Sequence, residues 1–362
     1  MSTSSDSLRK TPLIDSLPEY FRRRKSRFYV IGGLAAICVI IALLTLTIGS
    51  VKIPIGTVWS ILLSHMPWSH YAGDWSAATD MIIWNIRLPR IMMAGAVGAA
   101  LGVAGATYQG LFRNPLADPY LIGVAQGAAL GAVIGFLLPW TILGAYFIPL
   151  FAFTGSLAAV SVVYLIARVG KTLPMTTLIL AGVAIGSFLL SIISYLTLVS
   201  PDKTHGILTW MMGKFSMTDW DQFWMVAPYV AAGLIVIFIY ARPLNVMQLD
   251  EEQAQQLGIN VERTKLILLG AATLMTAAAV CFVGTIGFVG IIVPHAIRLA
   301  WGPDHRALLP LSAIGGAILL ILADTASRSV LPPTEIPVGV ITAFLGAPFF
   351  LFLLRRKKRA VF

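Results

Sequence analysis

Cysteine is nearly absent from this chain. Its 362 residues hold two, Cys38 and Cys281, both inside apolar stretches, which excludes a disulfide framework and leaves no cysteine spacing of the metal-binding kind; both read as core packing. Charge is scarce as well. Asp, Glu, Lys and Arg make up 12% of the chain and hydrophobic residues 57%, against about 25% and roughly 45–50% in soluble domains. A soluble fold could not cover its surface with that mixture. Catalytic groupings are missing too. The five histidines, His65, His70, His205, His295 and His305, are scattered, with neither an HExxH nor a GxSxG pattern. No GxxxxGK followed by Ser or Thr occurs, so nothing here grips a nucleotide phosphate. The sequence offers no catalytic residue, no cofactor site and no metal site, and any energy its work requires must come from a partner or an ion gradient.

What is abundant is long apolar sequence. A hydrocarbon core of ~30 Å needs about 20 apolar residues per helical crossing. Runs of that kind fall near 28–48, 88–108, 120–139, 145–167, 176–199, 222–241, 266–283, 284–300, 308–329 and 336–354. The expected fold is therefore an all-α integral membrane protein of about ten transmembrane helices. Residues 1–27 form a cytoplasmic N-terminal segment, polar and disordered over its first 16 residues and basic at FRRRK, residues 21–25. The membrane domain covers 28–354, and a basic tail follows at 355–362. No small-residue cleavage site precedes the first run, which reads as a retained helix.

The net charge of +10 is a topology signal before it is anything else. With both termini in the cytoplasm, only Lys52, Arg87, Arg90, Lys203, Lys214 and Arg328 of the 26 lysines and arginines lie outside, as the positive-inside rule requires. Nucleic acid is not an expected partner; anionic lipid is. The outer loop 50–87 carries Trp59, Trp68, Trp75 and Trp84, which suit an interfacial aromatic belt.

Two places interrupt the apolar pattern. From Arg87 to Gly131 a helix rich in small residues (Gly95, Gly98, Gly102, Gly105) runs into a charged, proline-containing break at Gln109–Pro119 before a second Gly/Ala-rich helix. Small residues let helices approach in lipid, and irregular backbone near the bilayer persists only when buried in protein or lining a cavity. The second interruption is the polar island 247–265. Asp250 can cap a short helix with Gln253 three residues on, Leu249 and Ala254 are placed as a hydrophobic staple, Gly258 suits the turn and Asn260 a second cap. The expected result is two short helices joined by a tight turn.

Together with LILAGVAIG (178–186), WMMGKFSMTDW (210–220), ARPLNVMQLDEEQAQQLGINVER (241–263), GTIGFVGIIVPHAIR (284–298), GPDHR (302–306) and EIPVGVITAFLGAPFFLFLL (335–354), these segments resemble, in order, the FecCD-type permeases of ABC importers for ferric siderophores, haem and cobalamin. The resemblance spans nearly everything after Ile83. It implies a permease subunit of an importer in a prokaryotic inner or plasma membrane, taking a large metal chelate from a soluble or lipid-anchored substrate-binding protein. Its implied partners are a second copy of itself and two ABC ATPase subunits, which hold the ATP and Mg.

The resemblance also assigns roles. Short cytoplasmic coupling helices would occupy 247–265, with Leu249, Asp250, Glu251, Glu252, Gln253, Leu257, Gly258, Asn260 and Arg263 facing the ATPase. Arg87, Arg90 and Arg328 would dock acidic residues of the binding protein, and Asp324, four residues before Arg328, can pair with it along one helix face. Gates would lie at Asn114 and Leu116 and at Met175 and Thr176, where Pro174 and Met175 depart from the small hydroxyl residues of cobalamin importers. The Gly/Ala segments around Gly123, Gln126, Gly127 and Gly131, with 178–186, fit either a pathway lining or ordinary close packing. An ion-coupled secondary transporter would need carboxylates at mid-membrane depth, and an intramembrane enzyme would need paired catalytic groups on facing helices; the sequence supplies neither.

Overall fold

Inside lipid each backbone N–H and C=O has to be satisfied within its own segment, and the apolar runs fold accordingly as helices. The structure, a computed structural model, describes residues 17–49, 51–66, 68, 73–138 and 144–358. The expected disordered stretch 1–16 and the end of the basic tail lie outside the described residues. No strand occurs among the described residues; a lone bridge joins Val169 and Thr172.

In chain order the helices are α1 (Leu17–Thr47), α2 (Ile55–Ser64), α3 (Ala77–Met81), α4 (Leu88–Leu111), α5 (Val124–Leu137), α6 (Phe147–Ala167), α7 (Met175–Leu198), α8 (Pro201–Met211), α9 (Trp220–Ile239), α10 (Ala241–Val246), α11 (Glu251–Gln256), α12 (Val261–Val283), α13 (Val289–Trp301), α14 (His305–Ser329) and α15 (Val338–Lys358). One π-helical turn, Ile82–Arg87, carries α3 into α4, making a 35-residue helical stretch Ala77–Leu111. Side-chain caps set several starts: Asp219 accepts from the Gln222 N–H at 2.8 Å to begin α9, and Asp304 accepts from the Arg306 N–H at 3.0 Å to begin α14.

Among the described residues, seven helical stretches are long and apolar enough to cross a membrane. Of the other three expected runs, two form shorter helices and the third shifts its start, which corrects their boundaries. The run 120–139 becomes a 3-10 turn at Pro119–Ile122 followed by the 14-residue α5. The run 284–300 becomes α13 only from Val289, because Gly284 (φ +77°) and Phe288 (φ +70°) hold the backbone outside helical space between α12 and α13. The run 336–354 starts two residues late, at Val338. Helices α2, α3 and α8 lie where loops were expected.

The core is built on α4, buried over nearly its whole length between α14, α12, α13 and α9. Its glycines explain the approach: a methyl placed on Gly98 would overlap the Gly316 carbonyl of α14, and one on Gly316 would overlap the Gly98 carbonyl. Lipid tails are as apolar as side chains, so the gain here comes from close van der Waals contact. Several interior polar groups are paired. The Tyr108 hydroxyl meets Thr273 at 3.0 Å, and Gln109 bonds the Gly290 carbonyl at 3.1 Å and Arg298 at 2.9 Å. Around this core, large apolar side chains such as Leu180, Phe188, Leu198, Ile239 and Phe344 stand exposed on helix flanks. Apolar surface of that extent needs lipid or protein against it.

Candidate functional site

The polar island folds as a short connector at one end of the bundle. Asp250 caps α11, but it accepts from the N–H of Glu251 at 2.7 Å, not from Gln253, so the expected capping box does not close. Leu249 is 66% exposed while Ala254 is fully buried, so no staple forms between them either. The end of α11 is as expected and more complete. Gly258 takes φ +82°, its N–H donates to the Gln255 carbonyl, and the N–H of Ile259 donates to the Ala254 carbonyl, the paired bonds of a Schellman turn. Asn260 then accepts from the Arg263 N–H at 3.0 Å and starts α12. The second helix of the island is thus a 23-residue helix that crosses the bundle, not a second short one; the other short helix is α10, before α11. Glu252, Gln253, Leu257 and Arg263 are exposed, and Leu257 at 67% matches Leu249.

The two expected gate segments lie at this same end. Asn114 accepts from the Leu116 N–H at 3.0 Å in the turn after α4, and Met175 and Thr176 open α7. Among the described residues no hydrogen bond or ion pair joins the two segments to each other. Both are tied instead to the α10–α11 stretch. On one side Gln248 donates to the Gly110 carbonyl at 2.8 Å, and Arg113 lies 3.8 Å from Asp250. On the other, Lys265 Nζ reaches Glu251 at 2.7 Å, Glu262 at 2.9 Å and the Leu173 carbonyl at 3.3 Å. Asn245 adds bonds to Asp304 and to the backbone N–H of His305 at the start of α14. Just past the Asn114 turn, burial raises the Asp118 carboxyl to about 6, against the opposing hydrogen bond it accepts from the Tyr120 N–H.

At the opposite end of α4 the three arginines are not surface groups, which corrects the expectation of open docking sites. Arg87, Arg90 and Arg328 are 5%, 6% and 8% exposed. Arg87 donates to the carbonyls of Leu46 and Val51, Arg328 donates to the Thr45 carbonyl at 2.8 Å, and Arg90 is held by both Asp324 and Glu335. Asp324 keeps only a longer contact, 3.8 Å, to Arg328. A charge buried this deeply needs its partners, and these guanidiniums find theirs in α1, α14 and the approach to α15. Glu335, with a side chain 36% exposed, is the open edge of the cluster.

Of the Gly/Ala segments, Gly127 and Gly131 pack backbone-close against Gly155 and Phe151 of α6. They border an apolar groove of about 490 Å³ between α5, α6 and α7. On α7 the exposed face carries Ser187, Ser191 and Ser194, a weakly polar stripe at helical spacing that a run of apolar neighbours hides in the sequence.

Comparison with known proteins accounts for this arrangement. The profile of the FecCD transport family matches residues 37–356. An uncharacterized ABC transporter permease, YvrB of Bacillus subtilis, is 41% identical over 93% of this chain and 96% of its own length. The cobalamin import system permease BtuC of Halobacterium salinarum is 47% identical over 78% of this chain and 76% of its own. The hemin transport system permease HmuU of Yersinia pestis is 38% identical over 91% and 96%. Among solved structures, a metal-chelate type ABC transporter in an inward-facing conformation superposes with a TM-score of 0.79 at 28% identity, over 91% of this chain and 99% of that one. With the helical bundle and its apolar flanks, these matches make the chain a multi-pass cell-membrane permease belonging to the FecCD transport family.

Proposed function

We propose that the chain is the membrane subunit of an ABC importer that passes a large metal chelate, a corrinoid, haem or ferric siderophore, from a substrate-binding protein into the cytoplasm. Two copies would form the pathway, and two ATPase subunits binding ATP and Mg would drive it. The observation that carries this reading is the α10–α11 connector, which presents the exposed Leu249 and Leu257 outward while bonding inward to both gate segments. Exposed leucines on a polar connector suit a protein groove. The α11 end is then cytoplasmic, the arginine end faces the binding protein, and all ten helical runs cross the membrane. Chelate passage along the serine stripe of α7 requires weak contacts that do not trap it.

Docking is revised by the burial of the arginines: the partner would meet Glu335 and the backbone around it, with Arg87, Arg90 and Arg328 holding that surface in shape. An ion-coupled mechanism finds no support, because the acidic residue deepest in the bundle, Asp324, is committed to Arg90. The test is ATP-dependent uptake of cyanocobalamin, haemin and a ferric hydroxamate by proteoliposomes containing the permease, its ATPase subunits and the neighbouring binding protein. Uptake of one class that stops with vanadate is expected. Accumulation that ignores vanadate and follows a proton or sodium gradient overturns the proposal.

A further inference from the structure

We infer that Lys265 is a positioning residue that ties α11 to the start of α7, so that displacement of α11 is delivered to the Met175–Thr176 segment. This rests on α11 being the element that moves with the ATPase.

Lysines at the ends of membrane helices ordinarily extend their charge toward water. Lys265, one turn into α12, is 2% exposed and turns inward. An ammonium has three N–H donors, and here it has three acceptors, each from a different part of the chain: Glu251 on α11, Glu262 on α12 and the Leu173 carbonyl in the connection before α7. Glu262 closes the ring, its second oxygen accepting from the Leu173 N–H at 2.8 Å. Leu173 is itself buried, at 4% exposure. Pro174, with its fixed φ, is the sole residue between Leu173 and the first turn of α7. There is little slack between the carboxylate of Glu251 and the gate.

Charge-assisted bonds out of water hold geometry better than neutral or solvated ones. On the other side the 2.8 Å bond from Gln248 to the Gly110 carbonyl leaves the chain before α11, and the α11 cap itself has the weaker contact of exposed Asp250 with exposed Arg113 at 3.8 Å. Of the α11 side chains, the small Ala254 is the buried one, which would let the helix swing on the Gly258 turn. The strong path from α11 therefore runs through Lys265 to α7.

The experiment uses the assembled complex of permease and ATPase subunits in liposomes, with spin labels at exposed positions and ATP–vanadate as the probe. One pair, Gln256 with Leu322 of α14, reports α11 against the bundle; a second, Leu180 with Leu322, reports α7. In the parent protein ATP–vanadate shifts both distances. In Lys265→Met the α11 distance still shifts, while the α7 shift falls on the order of twofold or more, because the element that both sites bias has been cut. Glu251→Gln, which changes a side chain 39% exposed, gives the same separation of the two responses, and Glu251→Gln with Lys265→Met is no worse than Lys265→Met alone. A purely structural lysine would change neither response selectively. Equal shifts of both distances in both variants overturn the tie. An α11 distance that does not respond in the parent overturns instead the reading of α11 as the coupling element.

Discussion

Arg90 and Asp324 stand 234 positions apart in sequence, and the Arg90 Nε donates to both carboxylate oxygens of Asp324 at 2.9 and 3.1 Å. The pair fastens the start of α4 to the end of α14, with Glu335 closing on the remaining guanidinium nitrogens at 2.8 and 3.0 Å. A fork shared between two carboxylates is bidentate recognition inside one chain.

Removing one side of that pair strands a buried charge. Arg90→Met or Asp324→Asn alone is expected to cost about 3–5 kcal/mol, read as a lowered midpoint of thermal unfolding in detergent and a reduced folded yield. Glu335→Gln, at the open edge, should cost far less. Equal midpoints for all three variants would show that the cluster is not desolvated.

The α4–α14 seam makes a second prediction. Gly98→Val or Gly316→Val forces a side chain into the facing backbone carbonyl, and overpacking typically costs about 1–3 kcal/mol. Either variant should unfold at lower temperature, whereas Gly32→Val on α1, where a Cβ meets nothing within 4 Å, should not. An unchanged midpoint for Gly98→Val would mean that the two backbones do not touch.

At Gly258 the cost is conformational, because no atom lies within 4 Å of an added Cβ while φ is +82°. Gly258→Val should lose about 1–2 kcal/mol locally, seen as faster amide exchange across 251–260 with global unfolding little changed. Gly258→Asn should be milder, since Asn tolerates the left-handed region. Leu249→Gly should leave the exchange of α11 unaltered, because its side chain makes no staple.

Asp118 supplies the pH dependence. With its carboxyl raised to about 6 by burial, the folded protein holds a proton that the unfolded chain releases near its ordinary value of about 4. Stability must then decline as pH rises from about 4 to 6 on this group's account. Asp118→Asn keeps an oxygen acceptor for Tyr120 and should flatten that part of the profile relative to the parent. Parallel profiles for the two proteins would rule the shift out.

What the sequence disclosed was what is decided locally. The Gly258 turn and the Asn260 cap depend on neighbours within four residues, and both are present. The capping box and staple at Asp250 depend on the same neighbours, yet Leu249 points outward because Ala254 already fills the space against the bundle. The arginines were misread as surface groups because charge near a helix end usually reaches water; their partners, the carbonyls of Thr45, Leu46 and Val51 with Asp324 and Glu335, come from other elements. Lys265 was counted only as a cytoplasmic charge. Its signal was there in Glu262, three residues back on the same helix, but Glu251 and Leu173 come to it only through the fold. Helices α2 and α8 fall in stretches too short or too polar to register as spans.

The glycine contact between α4 and α14 also bears on where motion can occur. Two helices whose backbones meet at Gly98 and Gly316, and which Arg90 and Asp324 fasten at one end, cannot separate without giving up close packing along the seam. They form a stator. The serine-bearing face of α7 stands exposed, and any displacement of α7 that starts from Leu173 must carry the Leu121 turn with it, because the Leu121 carbonyl lies against Gly182.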